Sequence, residues 1–144
     1  VRTVCAGGNY LLNNGPMGNG QLDPEAIRLY GVIGEWLKVN GESIYATRRN
    51  PLSEQPAWGD CSGSKDGMTL YLHVLDWPDS GSVALEGVSA KAHSAVYLAN
   101  GADADFVQEG TVLTIRLTKK PLDQYDSVIK VNFTKSVIPP NVGS

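Results

Sequence analysis

Cysteine, histidine and net charge are all scarce in this chain. Of its 144 residues two are cysteines, Cys5 and Cys61, and two are histidines, His73 and His93. Two cysteines cannot build a disulfide scaffold. Free buried thiols are expected, with a single bridge as the alternative. The histidines are far apart in sequence and no CxxC pair accompanies them, so zinc-site spacing is absent. Twelve basic side chains against fifteen acidic ones leave a net charge of -3. That balance offers no electrostatic footprint for nucleic acid or an anionic membrane, and Arg48-Arg49 and Lys119-Lys120 read as solvated loop charges. No apolar run reaches the roughly 18 residues of a membrane span. What remains, 42% hydrophobic and 19% charged residues, is the composition of a globular domain and argues against disorder.

Periodicity divides the chain near residue 50. Asn9-Tyr10-Leu11-Leu12-Asn13 is a short continuous apolar run, which suits a strand buried on both faces in a parallel sheet. A glycine-rich turn follows over Gly15–Gly20. Asp23-Pro24 then predicts a helix start, with Asp at the N-cap and Pro at the first helical position. The helix is expected to run to Asn40 and stop at Gly41. Its stripe is Ala26, Ile27, Tyr30, Ile33, Gly34 and Leu37, broadened by Leu29, Val32 and Trp36. Gly34 is expected to permit close packing against a neighbour. One strand and one helix cannot bury these faces alone. Residues 1–50 therefore read as the final β–α unit of a larger α/β domain. The alternative is that the helix docks on the sheet downstream. The first residues, Val1 to Cys5, read as the interior of an element.

Residues 50–57 hold two prolines and polar filling, and are expected to be a linker. Beyond them short strands are predicted at Thr69–Leu75, Ser82–Leu85, Ala92–Leu98, Thr111–Leu117 and Ser127–Phe133, with turns at Asp76–Gly81, Asn100-Gly101, Glu109-Gly110 and Lys119–Pro121. This pattern predicts an antiparallel β-sandwich over 57–135. Residues 136–144 are patternless and expected to be a flexible tail.

Chemistry-bearing motifs are few. Gly15-x-x-Gly18-x-Gly20 does not have dinucleotide spacing, and an Asp caps the helix where a phosphate would sit. Neither histidine lies in a recognisable motif with a serine or cysteine; both read as structural, polar-face residues. Glu25 and Glu35 lie on one helix about 15 Å apart along its axis, too far to converge on one sugar. Asp76 and Asp79 read as turn-forming. Asn13 and Asn14 end the apolar run, where parallel α/β folds carry ligand-binding groups. They are the candidate pocket-edge residues, the alternative being hydrogen bonds to the following turn. Asn132-Phe133-Thr134 matches a glycosylation sequon by accident of a strand-like run. Trp58, Tyr71, Trp77 and Tyr97 could stack sugars if exposed; filling the core and its seams is the favoured reading.

Three stretches carry a family resemblance. Gly7-Gly8-Asn9-Tyr10-Leu11-Leu12-Asn13-Asn14-Gly15-Pro16 with Gly34-Glu35-Trp36-Leu37-Lys38-Val39-Asn40-Gly41-Glu42-Ser43-Ile44-Tyr45-Ala46-Thr47-Arg48 is similar to the end of the catalytic barrel of α-L-fucosidases, glycoside hydrolase family 29. Leu70-Tyr71-Leu72-His73-Val74-Leu75-Asp76-Trp77-Pro78 resembles the first long strand of that family's C-terminal sandwich, and Pro121–Ile129 its last. Asn14 and Asn19 depart from the pattern, which has an apolar residue and an Asp there. The resemblance implies a mainly β chain, with a C-terminal antiparallel β-sandwich preceded by the last strand and helix of an incomplete (β/α)8-like barrel. It implies a retaining hydrolase of terminal α-L-fucose without metal or cofactor, whose nucleophile and acid/base carboxylates lie upstream. No residue of this chain inherits either role, so the chain is expected to be inactive alone. Its implied partners are the upstream barrel polypeptide and a fucosylated glycan, with no nucleic acid or membrane. The implied location is periplasmic, extracellular or lysosome-like. A carbohydrate-binding or structural module without catalysis is the alternative.

Overall fold

The computed structural model describes residues 1–52 and 54–138. A single helical turn, α1 (Arg2–Cys5), precedes the main helix α2 (Pro24–Asn40). Asp23 caps α2 by accepting from the Glu25 amide at 2.8 Å, and Pro24 loses nothing because that amide is an orphan in any helix. The stop at Gly41 takes another form than expected. Gly41 keeps a right-handed φ of −59° and leads the chain into a 3₁₀ turn, Gly41–Ser43. Its missing side chain instead makes room for the Tyr45 ring, which would lie 2.9 Å from a Cβ there.

Eight strands follow among the described residues: β1 (Thr47–Arg48), β2 (Gly59–Ser64), β3 (Thr69–Val74), β4 (Ser82–Leu85), β5 (Ala92–Tyr97), β6 (Phe106–Glu109), β7 (Val112–Arg116) and β8 (Ser127–Phe133). They form two antiparallel sheets, ordered β1-β2-β3-β8-β5 and β4-β7-β6. The chain is thus mainly β. The five strands expected from alternation all form, with ends within a residue. No helix lies in 105–133.

One core lies between the two sheets. Leu70, Leu72 and Val74 of β3 and Ile129, Val131 and Phe133 of β8 meet Val83, Leu85, Leu113 and Ile115 of the smaller sheet. Every one of these is at most 3% exposed. The period of two sends Tyr71 and His73 to the opposite face of the large sheet, and that face is where the helical segment docks.

Four expectations need correction. No strand forms at Asn9–Asn13; Tyr10, Leu11 and Leu12 are irregular and 69%, 86% and 44% exposed. A strand needs partners for its amides and carbonyls, and no described segment lies beside this one, so water satisfies them. The α2 stripe is only partly covered: Ile27, Leu29 and Ile33 are exposed, because only the C-terminal turns of α2 reach the sheet. Nothing lies within 4 Å of a Cβ at Gly34, so that glycine packs against no described neighbour. Val1–Cys5 is a single helical turn with one buried residue, Cys5, rather than an element interior. The tail expected at 136–144 lies outside the described residues from 139 onward.

Candidate functional site

The largest group of buried polar side chains sits where the helical segment meets the outer face of the five-stranded sheet. In-register pairing sets it up. Asp60 lies opposite His73, and Ser62 opposite Tyr71, so β2 and β3 present Asp60, Ser62, Tyr71 and His73 on one face. Asp126 enters from the loop before β8. The His73 Nδ1 lies 2.7 Å from Asp126 Oδ2, and its Nε2 lies 3.4 Å from Ser62 Oγ. The Ser62 hydroxyl donates to the Ser43 carbonyl at 2.7 Å. The Trp36 indole donates to the Asp126 backbone carbonyl at 3.0 Å, and its ring stands 6.4 Å from that of His73.

This is a serine–histidine–aspartate row by connectivity, yet it cannot act as a nucleophile. Ser62 and His73 are fully buried and Asp126 nearly so, and the Ser62 hydrogen is already committed to a backbone carbonyl. Nucleophilic catalysis needs an attacking oxygen that a substrate can reach. The row instead joins three segments: the turn after α2, the β2–β3 hairpin and the start of β8. Beside it Lys130 pairs with Glu42 at 2.9 Å, and the Tyr71 hydroxyl donates to the same carboxylate at 3.4 Å. Burial pushes the Tyr71 phenol up to about 12, with the Glu42 charge adding to the effect.

Gly59 permits the row to form. A Cβ at Gly59 would lie 1.9 Å from the His73 carbonyl oxygen, so only glycine lets β2 close on β3 there. Asp60 accepts from the Cys61 amide at 2.8 Å and from the Asn50 side chain at 3.4 Å. Both thiols are free and buried. Cys61 faces the core between the sheets, whereas Cys5 lies on the Asp60 side. Burial first, then the Asp60 charge, pushes the Cys5 thiol up to about 12; burial pushes Cys61 upward as well. Neither is a thiolate nucleophile or ligand at neutral pH.

Apart from His73, Tyr71 and Trp36, the residues singled out in sequence do not converge on the row. Asn13 is exposed and Asn14 half-buried, its Nδ2 without a hydrogen-bond partner. The turn that follows is held by Asn19, whose Oδ1 accepts from the Gln21 amide at 3.0 Å. Glu25 and Glu35 are occupied with Arg28 and Lys38 on the exposed side of α2. His93 is exposed at a register shift in β5. No three His, Cys, Asp or Glu among the described residues are grouped to hold a metal ion. Of the four candidate sugar-stacking rings, Tyr71 and Tyr97 are buried, and Trp58 and Trp77 pack half-buried on the core. They make no common exposed platform. Asn132 of the sequon is tied on both sides, accepting from Thr69 and donating to Ser94, each at 3.0 Å.

Sequence reading missed Ser62, Asp126 and Ser43. The one available signal was His73 itself, a polar residue out of phase with Leu70, Leu72 and Val74. Its partners lie in distant segments, and only strand register brings them together.

Comparison with known proteins supplies a frame for this geometry. The family model described as alpha-L-fucosidase matches residues 1–42. The chain is 38% identical over 89 residues to an alpha-L-fucosidase of Branchiostoma floridae, covering 59% of the chain and 19% of that protein. It is 36% identical over 99 residues to the tissue alpha-L-fucosidase of Mus musculus, covering 66% of the chain and 21% of that protein. Among solved structures, alpha-L-fucosidase isoenzyme 1 from Paenibacillus thiaminolyticus matches 91% of the chain with a TM-score of 0.80 and 30% identity. A GH29 alpha-L-fucosidase from Bacteroides thetaiotaomicron matches 91% with a TM-score of 0.81 and 25% identity. The chain spans 32% and 29% of those two structures, and about a fifth of the curated relatives.

Proposed function

We propose, from the premise that this chain belongs to the α-L-fucosidase family, that it is the C-terminal part of a glycoside hydrolase that removes terminal α-L-fucose from glycans with retention. In this reading residues 1–50 supply the final β–α unit of a (β/α)8-like catalytic barrel. Residues 57–135 form the β-sandwich that follows it, and residues 136–144 are a tail. The observation that carries the reading is a coincidence of two facts. The family model covers residues 1–42, and that same stretch holds nine of the fifteen large apolar side chains left exposed among the described residues, Tyr10, Leu11, Leu12, Ile27, Leu29 and Ile33 among them. The partner that covers them is the rest of the barrel, and Asn9–Asn13 becomes a strand when its sheet is present.

Retaining hydrolysis needs two carboxylates about 5–5.5 Å apart, one as nucleophile and one as acid and then base, with no metal or cofactor. In this reading that pair lies upstream of the residues present here. The part of this chain is to complete the barrel and to hold the last helix through the Trp36, Ser62 and Asp126 contacts. Asn13 and Asn14 would then edge the fucose pocket without doing chemistry. The proposed location is periplasmic, extracellular or lysosome-like. No helix of the described residues is long and apolar enough to cross a membrane. The alternative, a carbohydrate-binding module, is disfavoured because its stacking rings are turned into the core and the seam.

Incubation of the 144-residue chain with an aryl α-L-fucoside tests the reading. No turnover above blank is expected from the chain alone, and turnover is expected once the preceding barrel is supplied in one polypeptide. Release of aryl alcohol by the chain alone would refute it.

A further inference from the structure

Four Asn-Gly pairs occur in the chain: Asn14-Gly15, Asn19-Gly20, Asn40-Gly41 and Asn100-Gly101. Such a pair can condense with itself, because glycine has no Cβ to keep its nitrogen from the preceding side chain. The glycine nitrogen gives up its hydrogen and bonds to the asparagine Cγ. The Cγ–Nδ2 bond breaks, and ammonia leaves with that hydrogen. Solvent water then opens the imide ring at one carbonyl or the other. The product is aspartate, or isoaspartate with the main chain rerouted through the side-chain carbons. The attack needs a glycine N–H that no acceptor holds and an asparagine amide free to turn toward it.

Hydrogen bonding withholds three of the four pairs. The Gly20 amide donates to the Met17 carbonyl at 2.8 Å, and Gln21 holds both ends of the Asn19 side chain, at 3.0 and 3.1 Å. The Gly101 amide donates to the Tyr97 carbonyl at 2.8 Å, while Asn100 Oδ1 accepts from the Ala102 amide at 3.0 Å. The Gly41 amide is bonded to the Leu37 carbonyl, and Asn40 is 3% exposed with its Nδ2 on the Trp36 carbonyl at 3.3 Å. Asn14-Gly15 differs on both counts. Among the described residues nothing accepts from the Gly15 amide, and Asn14 Nδ2 has no hydrogen-bond partner. Gly15 is also exposed, so the water of the second step is at hand. We propose that Asn14-Gly15 is a site of spontaneous deamidation, and that the folded chain confines the reaction to it. Conversion sets a carboxylate, or an extra main-chain carbon, at the end of the apolar run Asn9–Asn13.

The test holds the 144-residue chain in mildly alkaline buffer, either folded or in urea, and follows all four asparagines by peptide mapping with mass detection. In urea the shared chemistry alone sets the rates, which should agree within about threefold. In the folded chain Asn14 should convert about tenfold faster than each of the other three, whose glycine amides must first break a hydrogen bond. Asn19, Asn40 or Asn100 keeping pace with Asn14 in the folded chain would overturn the proposal. So would an Asn14 that stays intact, or one that already leads tenfold in urea. Gly15→Ala identifies the attacking nitrogen. Nothing lies within 4 Å of a Cβ at Gly15, and its φ is not left-handed, so the variant keeps the fold. Conversion of Asn14 should slow about tenfold in it. An unchanged rate there would show that the Gly15 nitrogen is not the nucleophile and would overturn the assignment.

Discussion

Leu11→Ser separates a residue that serves this chain from one that serves a partner. Leu11 is 86% exposed, so almost none of its side chain leaves water when the 144 residues fold. Full burial of a leucine is worth about 1.5–3 kcal/mol; truncating an exposed one changes stability by less than about 0.5 kcal/mol. In the isolated chain the substitution should therefore be silent. In the complete enzyme, where the proposal places Leu11 in a barrel strand buried on both faces, it should cost about 2–4 kcal/mol. That figure combines lost transfer energy with an unfilled cavity and a new buried hydroxyl. Urea unfolding followed by tryptophan fluorescence reads both. Trp36 in the helical seam and Trp58 and Trp77 on the core report the two parts of the fold. A loss above about 1 kcal/mol in the isolated chain would refute the assignment, because Leu11 would then belong to this chain's own core. Equal, negligible losses in both contexts would refute it as well, since no partner would be covering the residue.

Three further outcomes follow from the same structure. Gly59→Ala should destabilise the two-sheet unit by about 3 kcal/mol in urea unfolding, because the added carbon meets the His73 carbonyl at 1.9 Å; a loss below about 1 kcal/mol would show that β2 can shift at little cost. Ala46→Gly should stabilise by up to about 1 kcal/mol, since Ala46 holds a left-handed φ of 59° that glycine adopts freely. Alkaline stability should fall. Cys5 at about 12 and Tyr71 at about 12 both exceed their ordinary values of 9.0 and 10.0, so above pH 9 the unfolded chain releases protons that the folded chain retains. Their contribution is intact below pH 9 and is lost as pH rises through 12, at a slope of up to about 1.4 kcal/mol per pH unit for each group. Native thiol alkylation at pH 8 should be correspondingly negligible, and rapid labelling would count against the burial of both cysteines.

The legible parts of the fold were those fixed by local chemistry. Asp23-Pro24 set the start of α2 because a cap and a ring-locked φ need no distant partner. The patterns in β3 to β5, β7 and β8 placed five strands because each turns apolar side chains at a period of two toward one core. β2 was illegible for a related reason: Gly59-Asp60-Cys61-Ser62-Gly63-Ser64 has the composition of a turn. Gly59 serves close approach to β3, and the strand's polar residues serve a seam that sequence alone does not reveal. Asn9–Asn13 failed in the other direction. Its apolar run states a need for burial, and burial on both faces depends on neighbours outside the run. Of the candidate site, only His73 carried a sequence signal, and its phase said which face it occupied without saying what covers that face.

A sheet with a polar outer face usually meets water there. In this protein Ser62, Tyr71 and His73 are buried on that face; Ser62 and Tyr71 bond to the turn after α2 and His73 to the loop before β8. This arrangement costs more than an apolar seam of equal area, but it imposes geometry that an apolar seam does not. Leucines against leucines would let the helix slide or rotate with little change in energy. Trp36 must find the Asp126 carbonyl, Ser62 the Ser43 carbonyl and His73 the Asp126 carboxylate, all at once. A shift of one residue in α2 would take the Trp36 indole and the Ser43 carbonyl away from their partners, at about 1–3 kcal/mol apiece. The row therefore sets the angle and register at which the helix leaves the sheets. Under the proposal that the rest of a barrel covers the exposed apolar side chains of residues 1–42, that angle decides whether both surfaces can be covered together.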